Sequence, residues 1–211
     1  MQPHDTHRVF APEDLSPTDR YKLLIGLVVP RPIGWIGSIS PEGVNNLAPF
    51  SFFNVVSANP PTLLYSVNRS IRTKDSLTNV IASREFTANI VTEDLAEAMN
   101  ATSGDYAADV DEFDLAGLTP EPGTIVAAPM VREASARFEC RLTQTVDIGA
   151  PANPANTVVF GEVVAIHVSA AVLDGTRVLP EKLRAVGRMA GSGYTRTVDG
   201  YFEMVRPVIN G

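Results

Sequence analysis

Residues 31–57 of this chain read RPIGWIGSISPEGVNNLAPFSFFNVVS, and this segment carries most of the information about the fold class. The apolar run from Ile33 to Ser40 is typical of a buried strand, and the Pro-Glu-Gly triplet at 41–43 predicts a turn. The return segment, Val44 to Ser57, is again strand-like, so the two parts are expected to form a hairpin. Because Pro49 lacks a backbone N–H, the return strand is expected to be bulged or to lie at a sheet edge.

The rest of the chain alternates further strands with short helices. Ser16 followed by Pro17 predicts a helix start, with serine as N-cap and proline at the first helical position. The apolar stripe of this helix, which is expected to be buried, consists of Tyr21, Leu24, Ile25 and Val28. Further strands are predicted at Thr62–Val67, Phe86–Val91, Ala134–Ile148 and Thr157–Val168, and further helices at 73–83, 93–101 and 111–115. A long loop at 149–156 is expected to join the last two strands. These elements favour a mainly β, antiparallel small barrel with helical additions.

The composition is that of a globular protein rather than a disordered chain. Of the 211 residues, 45% are hydrophobic and 19% are charged, which allows a substantial core. We expect an N-terminal arm at 1–13 and a single domain at 14–211. The net charge of -7 opposes non-specific attraction to nucleic acid or anionic membranes. Neither is expected as a partner.

Nothing in the cysteine usage or the N-terminal sequence requires an oxidising compartment. Cys140 is the only cysteine, which excludes an intrachain disulfide and a cysteine-rich zinc site. The first residues, MQPHDTH, lack the basic and apolar regions of a secretory signal, and no apolar run is long enough for a membrane span. We therefore expect a soluble, cytoplasmic protein.

Several common catalytic motifs are missing from the sequence. HExxH, GxxxxGK[ST] and GxSxG do not occur, and the glycines at 187–193 do not match GxGxxG. The three histidines, His4, His7 and His167, are interpreted as ordinary residues. The acidic residues between 105 and 114 lack EF-hand spacing and are interpreted as a solvated loop. No metal site and no catalytic acid or base is predicted.

The segment Asn68–Ser76, NRSIRTKDS, follows a predicted buried strand and opens a helix. A helix N-terminus offers unpaired amide donors, and the arginines and lysine of this segment add cations, so it can form a phosphate cradle. The alternative is an ordinary capped helix with Thr73 as the N-cap. The segment alone does not separate the two.

The segment Ala48–Asn54, APFSFFN, with Trp35 on the partner strand, is the second candidate site. A strand that proline disrupts frees backbone donors and acceptors, and aromatic side chains supply apolar faces, so a flat heteroaromatic ring such as flavin can bind there. The alternative is that these aromatic side chains only fill the barrel core.

Taken together, these segments resemble the flavin reductase-like family, whose members adopt the FMN-binding split barrel, with Greek-key-like antiparallel strands. The resemblance is strongest to the flavoredoxin-like branch and covers most of the chain. The residues that carry it are 31–38, 46–54, 59–61, 73–76 with Asn79, 156–163 and 186–194. Ala190 and Ser76 depart mildly from the family pattern, where glycine and threonine are commoner.

The resemblance implies a cofactor site and a quaternary structure. The residues expected to line the isoalloxazine and ribityl chain of FMN are Trp35, Ala48, Pro49, Ser51, Phe52 and Phe53. Those expected around the phosphate are Asn68, Arg72, Thr73, Lys74 and Asp75. The family is typically a homodimer with flavin near the interface, so Gly193 and Tyr194 could belong to a wall shared by two subunits.

The resemblance also implies an activity. NADH or NADPH would reduce bound flavin by hydride transfer to N5, and the electrons would pass to oxygen, free flavin or a partner such as a monooxygenase. Because the cofactor carries the chemistry, no catalytic side chain is needed. Two alternatives stay open: an FMN-binding electron carrier without direct NAD(P)H turnover, and a scaffold that has lost flavin.

Overall fold

The computed structural model describes residues 7–69 and 74–207. Its α-helices are α1 (Pro17–Leu27), α2 (Asp75–Ser83), α3 (Ala96–Ala101), α4 (Glu112–Ala116) and α5 (Pro180–Leu183). Short 3-10 helices occupy Pro12–Asp14, Glu93–Leu95 and Ala170–Val172. Within the described ranges, no helix is both long enough and apolar enough to span a bilayer.

The strands dominate the fold. They are β1 (Gly34–Ile39), β2 (Asn45–Phe50), β3 (Phe53–Ala58), β4 (Pro61–Asn68), β5 (Glu85–Ile90), β6 (Pro120–Glu121), β7 (Met130–Val131), β8 (Ala136–Ala150), β9 (Asn153–Val168), β10 (Leu173–Asp174), β11 (Arg177–Val178), β12 (Val186–Arg188) and β13 (Tyr194–Arg196). Seven of them form one antiparallel sheet in the order β2-β1-β5-β8-β9-β4-β3. The expected mainly β, antiparallel architecture with helical additions is confirmed.

The order of the sheet requires that it closes into a barrel. β2 and β3 are its two opposite edges, yet only Ser51 and Phe52 separate them in the chain. The sheet must therefore curl until its edges meet at this point. The backbone N–H of Ser66 on β4 donates to the Phe52 carbonyl at 2.9 Å, which ties the bend between the edges to the neighbouring strand. We call residues 49–52 the β2–β3 bend.

Successive side chains of β1 point to opposite faces of the sheet, and both faces are buried. Ile36 points into the barrel, where it belongs to a cluster with Tyr65, Phe86 and Cys140. Trp35 points outward into a second cluster, which α3 and α4 cover with Met99 and Phe113. The helical additions thus close one outer face of the barrel.

The hairpin predicted from residues 31–57 is confirmed, including the turn at 41–43 and the edge position of the strand that carries Pro49. The return segment is two strands rather than one, since the chain changes sheet edge at Ser51. The expected long loop at 149–156 is wrong. β8 and β9 extend to Ala150 and Asn153, because a bulge with Gly149 at φ 108° keeps the strands paired across the prolines.

Helix α1 starts as predicted, with the Ser16 hydroxyl accepting from the backbone N–H of Asp19 at 3.1 Å and Pro17 in the first turn. The expected burial of its stripe is wrong for three of four residues. Only Ile25 is buried, whereas Tyr21, Leu24 and Val28 are 55%, 58% and 62% exposed. Helical spacing identifies an apolar face, but nothing within the described chain covers this one completely.

Candidate functional site

A groove of about 490 Å³ opens beside the β2–β3 bend. Helix α1 forms one wall, and the facing ends of β4 and β9 form the other. The lining residues are Pro17, Arg20, Tyr21, Leu24, Pro49, Phe50, Ser51, Phe52, Ser66, Asn68, Lys74, Ala155 and Asn156. We call this cavity the bend groove.

The local sequence explains why a groove forms there. Pro49 has no N–H to extend the sheet, and the chain leaves one edge at Ser51 to join the other at Phe53. Phe52, at the corner, is consequently 42% exposed. The bend thus presents an aromatic face and interrupted backbone to the solvent.

The opposite end of the bend groove is polar. Asn68 and Asn156 are paired across β4 and β9, and the Asn156 amide donates to the Ser66 hydroxyl at 3.1 Å. Lys74 lies at the N-cap of α2, and its ammonium group forms an ion pair with Asp105. Arg20 adds a second cation from α1. Amides, a hydroxyl and cations therefore all line the bend groove.

A smaller cavity of about 80 Å³ adjoins the bend groove and shares Pro49, Phe50 and Lys74 with it. It brings in Ala48 and Asp75, together with Ser76 and Tyr106. The Ser76 hydroxyl accepts from the buried amide of Asn46 at 3.0 Å, which fixes the first turn of α2 against β2.

The acidic segment 105–114 has structural functions beside this cavity. Asp111 caps α4 by accepting from the backbone N–H of Phe113 at 2.9 Å, and it also accepts from the Asn45 amide at 2.9 Å. The carboxylate of Glu112 accepts from the backbone N–H of Leu47 at 3.0 Å. Burial raises the pKa of Glu112, and the Leu47 hydrogen bond opposes that rise. The segment therefore anchors α4 to the edge strand β2.

The structure brings together most of the described residues predicted to bind the cofactor. Pro49, Ser51, Phe52, Asn68 and Lys74 all line the bend groove, and Ala48 and Asp75 line the adjoining cavity. Arg72 and Thr73 lie outside the described residues. The described start of α2 has Lys74 at the N-cap, without a side-chain capping bond, where the alternative interpretation expected Thr73.

Two of the predicted residues lie elsewhere. Trp35 is fully buried, and its indole N–H donates to the Thr102 hydroxyl at 2.8 Å, so its side chain fills the core instead of lining the groove. Because the Trp35 side chain points to the outer face of β1, it lies beneath α3. Phe53 is largely buried in the barrel and reaches the surface only at an apolar cleft of about 450 Å³ that also contains Phe52.

Sequence reasoning missed the contribution of α1 and β9. Arg20, Tyr21 and Leu24 line the bend groove from α1, and Asn156 lines it from β9. The exposed apolar stripe of α1 was visible in the sequence, but its spacing predicted only a buried face. The pairing of Asn156 with Asn68 depends on the sheet order and has no local signal.

The bend groove suits a ligand with a flat apolar part and an anionic tail. Leu24, Pro49 and Phe52 supply an apolar wall, and Asn68 and Lys74 supply donors at the other end. A charge-assisted contact to a phosphate is among the stronger hydrogen bonds in proteins. The apolar side chains and donors present therefore fit the chemistry of FMN.

Comparison with known proteins gives consistent matches. The profile of the flavin reductase like domain matches residues 26–181. An uncharacterized protein of Aquifex aeolicus is 46% identical over 179 residues, which cover 83% of this chain and 89% of the relative. The crystal structure of nitrilotriacetate monooxygenase component B from Bacillus cereus is similar, with a TM-score of 0.92 and 35% identity over 95% of this chain and 100% of that one. The crystal structure of 2-nitrobenzoate 2-nitroreductase NbaA from Pseudomonas fluorescens is also similar. Its TM-score is 0.86 and its sequence identity 30%, over 97% of this chain and 99% of that one.

Proposed function

The chain belongs to the flavin reductase-like family, and on that premise we propose that it is an FMN-dependent oxidoreductase that takes electrons from NADH or NADPH. The electrons pass to oxygen, free flavin or a protein partner. The observation that carries the proposal is the bend groove, where five of the predicted cofactor residues line one cavity of about 490 Å³.

The residues of this chain would hold the cofactor by its two ends. Lys74 and Asn68 would bind the phosphate, and Pro49 and Phe52 would contact the ring system. When bound, FMN would supply the redox chemistry between the electron donor and the acceptor. The protein binds and orients the cofactor, and no side chain is assigned a proton transfer.

The exposed apolar residues beside the groove support a homodimer. Tyr21, Leu24 and Phe52 lie on the rim, and each is exposed within the single chain. A contiguous exposed apolar patch is typical of an interaction surface. A second copy that covers this rim would exclude water from the cofactor.

One structural similarity supports a protein partner as the physiological electron acceptor. The similar Bacillus cereus protein is, by its name, component B of a monooxygenase. A two-component arrangement, in which this chain passes electrons to a separate oxygenase, accords with that similarity. An FMN-binding electron carrier remains the competing function.

The cofactor site is tested by Lys74→Ala, with FMN and riboflavin binding measured by fluorescence quenching. A charge-assisted hydrogen bond contributes about 1.5–3 kcal/mol, but Asp105 already compensates Lys74, so we expect about a tenfold loss of FMN affinity. Riboflavin has no phosphate, and its affinity should not change. Lys182→Ala, on the exposed helix α5, is the matched control. Equal FMN affinity for Lys74→Ala and wild type would remove Lys74 from the phosphate site.

The electron donor is tested with the FMN-loaded protein under anaerobic conditions. Addition of NADH or NADPH should bleach the visible absorbance of the flavin if hydride transfer occurs. Persistent oxidised flavin with both nucleotides would favour the electron carrier. Failure to bind FMN at all would contradict the proposal as a whole.

A further inference from the structure

A second cavity next to the bend groove contains two arginines and no acidic residue. It has a volume of about 220 Å³ and shares Tyr21, Pro49 and Ser51 with the groove. Its other lining residues are Ile25, Arg31, Ile33, Met99, Asn100, Ser103, Arg188, Gly191 and Tyr194. We call it the arginine pocket.

Arg31 is held rigidly at the base of this pocket and is only 7% exposed. Its Nη1 donates to the carbonyls of Ile25 and Val28 at 2.6 and 2.7 Å, at the C-terminal end of α1. Its Nη2 donates to the Met189 carbonyl at 3.0 Å, and its Nε contacts the Ser51 hydroxyl at 3.4 Å. These oxygens fix the guanidinium group, but none of them carries a full negative charge.

Arg188, the last residue of β12, lies beside Arg31 in the backbone. Arg31 and Arg188 form an antiparallel bridge, with N–H to carbonyl distances of 3.0 and 2.8 Å. The Arg188 guanidinium lies 4.4 Å from the centre of the Tyr194 ring and donates to the Gly191 carbonyl at 2.5 Å. Stacking on an aromatic face holds a guanidinium group in place while leaving other N–H groups for a ligand.

The two arginines share one cavity, in which no acidic side chain of the described residues balances their charge. Among residues 7–69 and 74–207, neither Arg31 nor Arg188 has an acidic side chain within ion-pair distance. By contrast, Arg137, Arg184 and Arg196 each pair with a glutamate, in a chain of net charge -7. Two like charges in a partly buried pocket repel each other, and a bound anion relieves that repulsion.

The remaining walls limit the kind of anion. Ile25, Ile33 and Met99 add apolar side chains to the lining, whereas Asn100 and Ser103 add polar groups. A volume of about 220 Å³ is below the range of roughly 300–1,000 Å³ typical of pockets that enclose a drug-sized ligand. The pocket can therefore take one ring or short chain with its anionic group, and not a whole dinucleotide.

We infer that the arginine pocket binds the carboxylate or phosphate group of the second substrate, the molecule that exchanges electrons with the flavin in the bend groove. The inference rests on the proposed function, because it treats the adjoining groove as the cofactor site. Arg188 binds the anion directly, and Arg31 supplies a fixed positive charge below it. A phosphate would come from a nucleotide donor, and a carboxylate from an organic acid acceptor.

Isothermal titration of the FMN-loaded protein with inorganic pyrophosphate and with benzoate tests the inference. We expect saturable binding of one of them in wild type, and the one that binds identifies the source of the anion. Arg188→Gln should weaken that binding by about 10- to 100-fold, and Arg188→Lys should retain part of it. Arg177→Gln, whose arginine is exposed and paired with Glu203, should bind the anion as wild type does.

Three outcomes would overturn the inference. Neither anion binds wild type, or Arg177→Gln loses as much affinity as Arg188→Gln, or Arg188→Gln weakens FMN binding by the same factor as anion binding. The last result would mean that the pocket holds part of the flavin. Titration of the apoprotein keeps this test separate from the proposed function, because anion binding can then be measured even if FMN does not bind.

Discussion

Glu139 is the clearest target for a quantitative perturbation, because its buried carboxylate is surrounded by donors. It lies on β8, and the backbone N–H groups of Thr124, Ile125 and Val126 donate to it at 2.9, 2.6 and 2.7 Å. The Thr124 hydroxyl adds a contact at 2.5 Å and the His167 ring another at 2.6 Å. Successive N–H groups of this kind form an anion-binding nest, here occupied by the chain's own carboxylate.

These contacts make the charged form of Glu139 much more stable in the folded state. Burial by itself raises the pKa of Glu139, but the hydrogen bonds from the 124–126 loop and from His167 outweigh it and lower the pKa from 4.5 to about 2. That difference corresponds to about 3 kcal/mol of stability at neutral pH. Because the folded pKa is depressed, the contribution is complete above pH 4.5 and is lost as pH falls toward 2.

Glu139→Gln should therefore lower the free energy of unfolding by about 3 kcal/mol at pH 7. The amide removes the charge and turns one acceptor into a donor that faces N–H groups. Urea unfolding of the apoprotein, followed by the fluorescence of the single buried tryptophan, Trp35, measures the change at fixed protein concentration. Glu133→Gln is the control, because among the described residues that exposed carboxylate accepts from the backbone N–H of Thr119 alone.

The pH dependence gives an independent check on Glu139. The difference in unfolding free energy between wild type and Glu139→Gln should shrink by about 2 kcal/mol between pH 7 and pH 3, since the wild-type carboxylate becomes protonated mainly in the unfolded chain. The reasoning is refuted if the two proteins unfold at the same urea concentration at pH 7, or if their difference stays constant down to pH 3.

Two substitutions in the core, and one control in α1, give further tests. Tyr65→Phe should stabilise the protein by about 1 kcal/mol, because the fully buried Tyr65 hydroxyl has no hydrogen-bond partner among the described residues; a lower urea midpoint would contradict this. Gly37→Ala should destabilise it by about 3 kcal/mol, since a Cβ there would lie 2.2 Å from the Pro129 carbonyl oxygen and 2.5 Å from the Thr87 hydroxyl. Gly26→Ala, in α1 with nothing within 4 Å, should instead raise stability, and equal effects of the two alanines would refute the steric argument.

The local elements were predictable because their signals are short in range. The hairpin at 31–57 needs only an apolar run, a Pro-Glu-Gly turn and a second apolar run. The start of α1 needs only Ser16 and Pro17. The edge position of β2 follows from the missing N–H of Pro49. In each case the residues that decide the structure are neighbours in the chain.

The site was predicted in part, from the order of motifs rather than from any one of them. The segments 48–54 and 68–76 are about twenty residues apart in the chain, and only the resemblance to a known family predicted that they share a ligand. The structure places Ser51, Phe52 and Lys74 on one cavity. Trp35, by contrast, lies in the core, because α3 and α4 cover the outer face of β1. No local sequence pattern predicts that packing.

Neighbouring residues in the chain thus specify the type of the main strands and helices, the turn at 41–43 and the segments able to bind a phosphate or a ring. Which of these segments share a surface depends on tertiary packing. The sheet closes because β2 and β3 are opposite edges joined by two residues. That closure sets Asn156 beside Asn68 and leaves the stripe of α1 exposed on the rim of the groove. Arg31 and Arg188, 157 positions apart in the chain, meet only through a backbone bridge. Such contacts depend on the global strand order, which propensities and spacings of neighbouring residues do not encode.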